Sequence, residues 1–143
     1  MPPENRSKLL GEILSLMIVS PTHKNYRMAH FPSIVLPPVE CNQFKIYRNA
    51  EQLPVGFTSW AFLSEEAERR LLDKTLLMRD EDWNSGEKLY FMEFIAPFGH
   101  TKQMVRDLRE QFRGRKGHAI RFDKDRDEVE VVEYFGYGLN TAT

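Results

Sequence analysis

The chain carries one cysteine, Cys41, in 143 residues. No intrachain disulfide can form, and nothing in the composition calls for an oxidising compartment. Long hydrophobic runs are missing as well. The apolar stretch from Ile13 to Val19 is too short to cross a bilayer, and it lacks the basic flank and small-residue cleavage site of a signal peptide. A cytoplasmic protein without a transmembrane segment is therefore expected. Charge of one sign is also scarce: 20 basic and 21 acidic residues leave a net charge of −1, which argues against a protein that coats nucleic acid. Internal repeats and low-complexity tracts are absent. His30, His100 and His118 lack the spacing of a zinc site. The series Asp123, Asp125, Asp127 fails as a calcium loop, because Glu128 stands where glycine is needed and Tyr134 where the bidentate glutamate belongs.

What remains is ample for a core. A hydrophobic fraction of 41% excludes disorder and fits one compact domain over residues 1–143. Leu9, Leu10, Ile13, Leu14, Leu16 and Met17 recur at helical spacing and predict a helix that Ser20-Pro21 stops. Pro32, Pro37 and Pro38 predict turns around a short extended run at Ile34-Val35-Leu36. Phe44 and Ile46, then Pro54 to Trp60, bracket the polar Asn49-Ala50-Glu51-Gln52 and read as a hairpin. Ser64 is placed to cap a helix running to about Leu72, with Glu65 and Glu66 in its first turn. Leu89 to Ile95 reads as a strand buried on both faces, and Thr101 as the cap of a helix that ends at Gly114. Ile120 and Phe122 open a last hairpin whose second strand is Val129 to Phe135.

This order predicts an α+β protein of mixed α/β layers, with a central, mostly antiparallel sheet flanked by helices. It is also the element order of the acetyltransferase-like (GNAT-like) fold.

Two residues stand out chemically. His23 follows the first helix in Ser20-Pro21-Thr22-His23, where a turn can present it to a cleft. Taken alone it is a surface histidine. Glu93 interrupts the apolar strand, and a carboxylate there must find a partner or take up a proton. Paired, they make an acid–base site. Ser20 either hydrogen-bonds a reacting oxygen or caps the turn before it. A third feature is the predicted last long helix, where Lys102, Arg106, Arg109 and Arg113 fall within a roughly 60° arc. From Lys102 to Arg121 seven basic residues face two acids, Asp107 and Glu110. Such a stripe is either a solvated face or a docking surface.

Beyond these, Ser20-Pro21-x-His23 with Asn25, Leu36-Pro37, Asn42-Gln43, Ser59-Trp60-Ala61-x-Leu63-Ser64, Asp82-Trp83-x-Ser85-Gly86, Ile95-Ala96-Pro97-Phe98-Gly99 and Ala119-Ile120-Arg121 form an ordered series. In this series the chain resembles the toxin-activating lysine acyltransferases that mature RTX cytolysins. The resemblance implies a single acyltransferase domain on an acetyltransferase-like fold. It also implies transfer of a fatty acyl group from acyl carrier protein to internal lysines of an RTX protoxin, with no bound cofactor and no metal. His23 is then the essential histidine, with Ser20 in the same motif. The family's catalytic aspartate falls on Glu93, a departure of one methylene. Many members of that family also continue past the position of Thr143.

A coenzyme A-dependent acetyltransferase of a small amine is the main alternative. It needs a glycine-rich turn for the pyrophosphate, and Ala96-Pro97-Phe98-Gly99-His100-Thr101 keeps one glycine. That favours a carrier-protein donor, whose acidic surface suits the stripe from Lys102 to Arg113. A non-enzymatic adaptor that binds protoxin through exposed hairpins is the other alternative, and the same apolar hairpins would suit a homodimer.

Overall fold

The structure, a computed structural model, describes residues 3–73, 78–123 and 128–134. Asp125, Asp127 and the last residue of the predicted hairpin, Phe135, lie outside them. The sheet order is β1-β2-β3-β4-β5, built from β1 (Phe44–Arg48), β2 (Pro54–Leu63), β3 (Lys88–Ile95), β4 (Gly117–Asp123) and β5 (Glu128–Tyr134). Four α-helices accompany it among the described residues: α1 (Pro3–Ile18), α2 (Phe31–Glu40), α3 (Glu65–Leu72) and α4 (Thr101–Gln111). The mixture of helix and sheet is the α+β class the sequence predicts. None of these helices is long and apolar enough to cross a membrane.

By their contacts the residues divide into two compact units, Met1–Ser59 with Glu93–Met104, and Trp60–Met92 with Val105–Thr143. In the first, α1 turns its apolar stripe inward: Leu9, Ile13, Leu16 and Met17 are buried with Val35 and Val39 of α2, Phe57 of β2 and Ile95 of β3. The hairpin pairs Phe44 with Ser59 and Ile46 with Phe57. Its turn is held by Asn49, whose Oδ1 accepts the N–H of Glu51 at 2.9 Å and of Leu53 at 3.0 Å, an Asx-type turn of the kind the polar run foreshadowed.

The proline-rich stretch is a helix and not the turns and extended run expected. Pro32 lies in the first turn of α2, where an N–H would have no intrahelical partner anyway. Pro37 and Pro38 forgo bonds to the carbonyls of Ser33 and Ile34. Their fixed φ still suits a helix, and burial of Val35, Pro37, Pro38 and Val39 offsets the loss. The end is closed by a Schellman arrangement: Gln43 N–H reaches Pro38 O at 2.8 Å and Asn42 N–H reaches Val39 O at 3.2 Å, with Asn42 at φ 56.

In the second unit Ser64 caps α3 as expected, its Oγ accepting the Ala67 N–H at 3.1 Å. Gly86 is required by close approach, since a Cβ there would lie 2.5–2.6 Å from backbone atoms of Leu63 and Ser64. Trp60 and Phe91 both meet the edge or face of Phe112, with ring centroids 5.2 and 5.7 Å away. β3 pairs parallel with β4, Leu89 opposite Gly117 and Phe91 opposite Ala119, and β4 pairs antiparallel with β5. Two details differ from expectation. α4 begins at Thr101 itself, and β3 is half-buried from Phe91 to Phe94 instead of buried on both faces.

Candidate active site

α1 ends at Ile18, and the chain then makes a tight turn in which His23 N–H reaches Ser20 O at 3.1 Å and Lys24 N–H reaches the same oxygen at 2.9 Å. Serine at the first position and proline at the second are what such a turn favours. The turn fixes the side chains at its two ends on one side. Ser20 Oγ lies 2.7 Å from His23 Nδ1, and Thr22 Oγ1 lies 2.9 Å from the same nitrogen. Ser20 and His23 are buried, whereas Thr22 is exposed. The histidine that reads alone as a surface residue is thus enclosed, because both ring nitrogens have partners.

The second partner is Glu93. Its Oε2 stands 3.0 Å from His23 Nε2 across 70 positions of sequence. The imidazole side chain is 7% exposed and the carboxylate 14%. The backbone that carries Glu93 is tied down on both sides: Thr58 Oγ1 donates to Glu93 O at 2.9 Å, and Glu93 N–H donates to Ser59 Oγ at 3.2 Å. Thr58 and Ser59 are themselves fully buried. Two hydroxyl residues in an otherwise apolar β2 were the signal for this clamp, since buried hydroxyls must find hydrogen bonds.

Tyr26 completes the surroundings. Its ring packs against His23 with centroids 5.1 Å apart at 47°, held there by the Tyr26 N–H to His23 O bond of 3.0 Å. Burial, aided by the charge of Glu93, raises the Tyr26 hydroxyl above its ordinary value. It stays protonated at neutral pH. No local pattern marks Thr22, Tyr26, Thr58 and Ser59 as partners of this pair. Their roles depend on what lies across space.

With Glu93 ionised, Nε2 must carry the ring proton of a neutral imidazole, and Nδ1 presents its lone pair to the hydroxyls of Ser20 and Thr22. The arrangement is a carboxylate, an imidazole and hydroxyls in series. It can accept a proton at Nδ1 and stabilise the resulting imidazolium.

The predicted basic stripe is a separate matter. Lys102, Arg106 and Arg109 are exposed on α4, and Arg113 is exposed just beyond it. Arg113 donates to Glu110 Oε2 at 2.6 Å, so part of its charge is balanced within the helix. Among the described residues, no group of His, Cys, Asp and Glu could hold a metal ion.

Comparison with known proteins adds a second line. A family model described as the RTX toxin acyltransferase family matches residues 2–136. An uncharacterized protein of Synechocystis is 38% identical over 135 residues, covering 92% of each chain. The lysine-acyltransferase RtxC of Vibrio cholerae is 36% identical over 90% of this chain and 88% of its own. The protein-lysine myristoyltransferase HlyC of Escherichia coli is 33% identical over 90% of this chain and 75% of its own.

Proposed function

This chain belongs to the RTX toxin acyltransferase family, and we propose that it moves a fatty acyl group from acyl carrier protein to lysine side chains of an RTX protoxin. The observation that carries the reading is the enclosed His23 between Glu93 and the hydroxyls of Ser20 and Thr22. Family membership makes the chain an acyltransferase, so the adaptor alternative is set aside. An acetyltransferase-like arrangement of one domain, the carrier-protein donor, the protoxin acceptor and a homodimer are further parts of the proposal.

Lysine is a poor nucleophile at neutral pH. With a pKa near 10.4, about one side chain in 2,500 is neutral, a handicap of roughly 4.6 kcal/mol. His23 answers this as a general base. The neutral amine nitrogen attacks the thioester carbonyl while its proton passes to Nδ1, directly or through a neighbouring hydroxyl. The C–N bond forms, the C–S bond breaks, and the thiolate takes the proton from the imidazolium. Amide and free carrier thiol result, with one proton released to water for each ammonium consumed. Glu93 holds the imidazole orientation and offsets its charge. Ser20, buried and 2.7 Å from Nδ1, orients the ring from the other side. Both ring nitrogens are occupied by these partners, which supports a base in preference to an acyl-histidine nucleophile. The exposed cations Lys102, Arg106, Arg109 and Arg113 supply a face for an acidic carrier.

The test is co-expression with an RTX protoxin and mass spectrometry of its lysines. Acyl additions are expected with an acyl-carrier donor and not with acyl-coenzyme A alone. Absence of additions with a competent carrier donor would defeat the proposal for that acceptor. Additions from acyl-coenzyme A alone would replace the donor.

A further inference from the structure

One step behind the acid–base pair lie two hydroxyls that the chemistry above does not use. Thr58 and Ser59 are fully enclosed in β2, where the other buried side chains, Val55, Phe57, Trp60, Ala61 and Leu63, are apolar. A hydroxyl on such ground costs stability unless it is hydrogen-bonded, and valine has nearly the shape of threonine without the polar atom. Core packing therefore does not call for these residues. Their bonds converge on a single residue of β3: Thr58 Oγ1 donates to Glu93 O at 2.9 Å, and Glu93 N–H donates to Ser59 Oγ at 3.2 Å. Both backbone groups of Glu93 are thus held by side chains. All three residues belong with His23 to the first compact unit. Ser59 also opens the block Ser59-Trp60-Ala61-x-Leu63-Ser64 of the ordered sequence series, and the base chemistry leaves that serine without a task.

We propose that Thr58 and Ser59 are positioning residues for acyl transfer, acting through Glu93 on His23. The inference rests on the acyltransferase reading and adds what keeps the carboxylate in line with the ring. A glutamate side chain has several rotatable bonds, so its carboxylate stands 3.0 Å from His23 Nε2 in only some of its conformations, and any shift of the strand is passed on to it. A constellation of this kind works within roughly 0.5 Å of its productive geometry, and a displacement of about 1 Å costs up to 100-fold in rate. Holding the N–H and C=O at the root of the side chain removes the backbone's share of that freedom. The carboxylate then meets Nε2–H in one place, and Nδ1 keeps its lone pair for the incoming proton. Loss of either hydroxyl leaves a backbone group of Glu93 without that partner, and the strand shifts to find another.

The test uses the full chain carrying Thr58→Val, Thr58→Ser or Ser59→Ala. Ser64→Ala is the control, a serine whose hydroxyl caps α3 in the second unit. Transfer per folded molecule is measured with an acyl-carrier donor, and NMR of the nitrogen-labelled imidazole reports which ring nitrogen of His23 carries the proton. Thr58→Val and Ser59→Ala should each lower kcat about tenfold with KM for the donor nearly unchanged, and move the ring proton off Nε2 in part of the molecules. Thr58→Ser, which keeps the hydroxyl, restores both readouts, and Ser64→Ala moves neither. Added to Glu93→Gln, Thr58→Val causes no further loss, because the two act through one contact. An unchanged kcat in both Thr58→Val and Ser59→Ala overturns the proposal. So does an equal loss from Thr58→Val with and without Glu93→Gln, which would make the clamp a matter of general packing. If the unaltered protein transfers nothing, the acyltransferase reading falls and the ring signal alone decides: a proton distribution unchanged in Thr58→Val and Ser59→Ala overturns the clamp, and a shifted one upholds it.

Discussion

Glu93 in the first unit and Asp82 in the second are both carboxylates on largely buried ground, with side chains 14% and 4% exposed. They are satisfied in opposite ways. Asp82 is gripped by Arg70, Nε to Oδ2 at 2.9 Å and a terminal nitrogen to Oδ1 at 2.5 Å, and it also accepts the Arg79 N–H at 2.8 Å. The Arg70 hydrogen bonds, with help from that N–H, hold its carboxyl below its ordinary value. A guanidinium does not give up its proton near neutral pH, so the pair is fixed. Glu68 follows the same pattern, accepting from Lys88 at 2.7 Å and from the Tyr90 hydroxyl at 2.6 Å. Glu93 faces the imidazole of His23 instead, a ring that can take up a proton on one nitrogen while the other stays hydrogen-bonded. Burial alone does not mark a reactive carboxylate. What marks it is a partner able to change charge.

The largest expected effect on that contrast comes from His23→Ala, which should cut acyl transfer per folded molecule about 1,000-fold. A loss of less than tenfold would remove His23 from the chemistry and erase the distinction. Next, Glu93→Gln should cost roughly 100-fold, while Glu93→Asp keeps most of the rate, since the charge survives. Equal rates for the two variants would mean that Glu93 acts by shape and not by charge.

Asp82→Asn should do the reverse, lowering the melting temperature by roughly 5 °C and leaving transfer per folded molecule unchanged. Because folding lowers this carboxyl, its contribution is complete above the unfolded value near 3.8 and is lost as pH falls through the lower folded value. The variant's melting temperature should therefore approach that of the parent in strong acid. A constant gap down to strong acid would separate the stability loss from the ion pair. The smallest effect is expected from Thr22→Val, a roughly 3–10-fold slower transfer, read from rates at saturating donor. No change would leave Ser20 as the hydroxyl that matters at Nδ1.

Much of this arrangement is legible in the sequence where the causes are local. Ser20-Pro21 stops a helix and sets a turn by its own chemistry, and Ser64 caps a helix within three residues of itself. Glu93 is visible as an anomaly, a charge in an apolar strand, although its partner is not. The failures are tertiary. Pro32, Pro37 and Pro38 argue against a helix on propensity, and only burial of their neighbours against α1 reverses that. Thr58 and Ser59 look like ordinary strand residues until β3 lies alongside and their hydroxyls grip the backbone of Glu93. Tyr26 and Thr22 gain meaning from one ring nitrogen and one ring face that spacing along the chain does not reveal.

The 70 positions between His23 and Glu93 also set an order in time. The Ser20–His23 turn needs no distant residue and can form as soon as it leaves the ribosome. Its carboxylate follows roughly 4–14 s later at ordinary rates of synthesis, and closing so long a loop has an entropic cost that only the packed core of the first unit repays. A nascent or truncated chain therefore holds a histidine without its counter-charge. Topology alone keeps the imidazole and its carboxylate apart until the chain is made as far as Glu93.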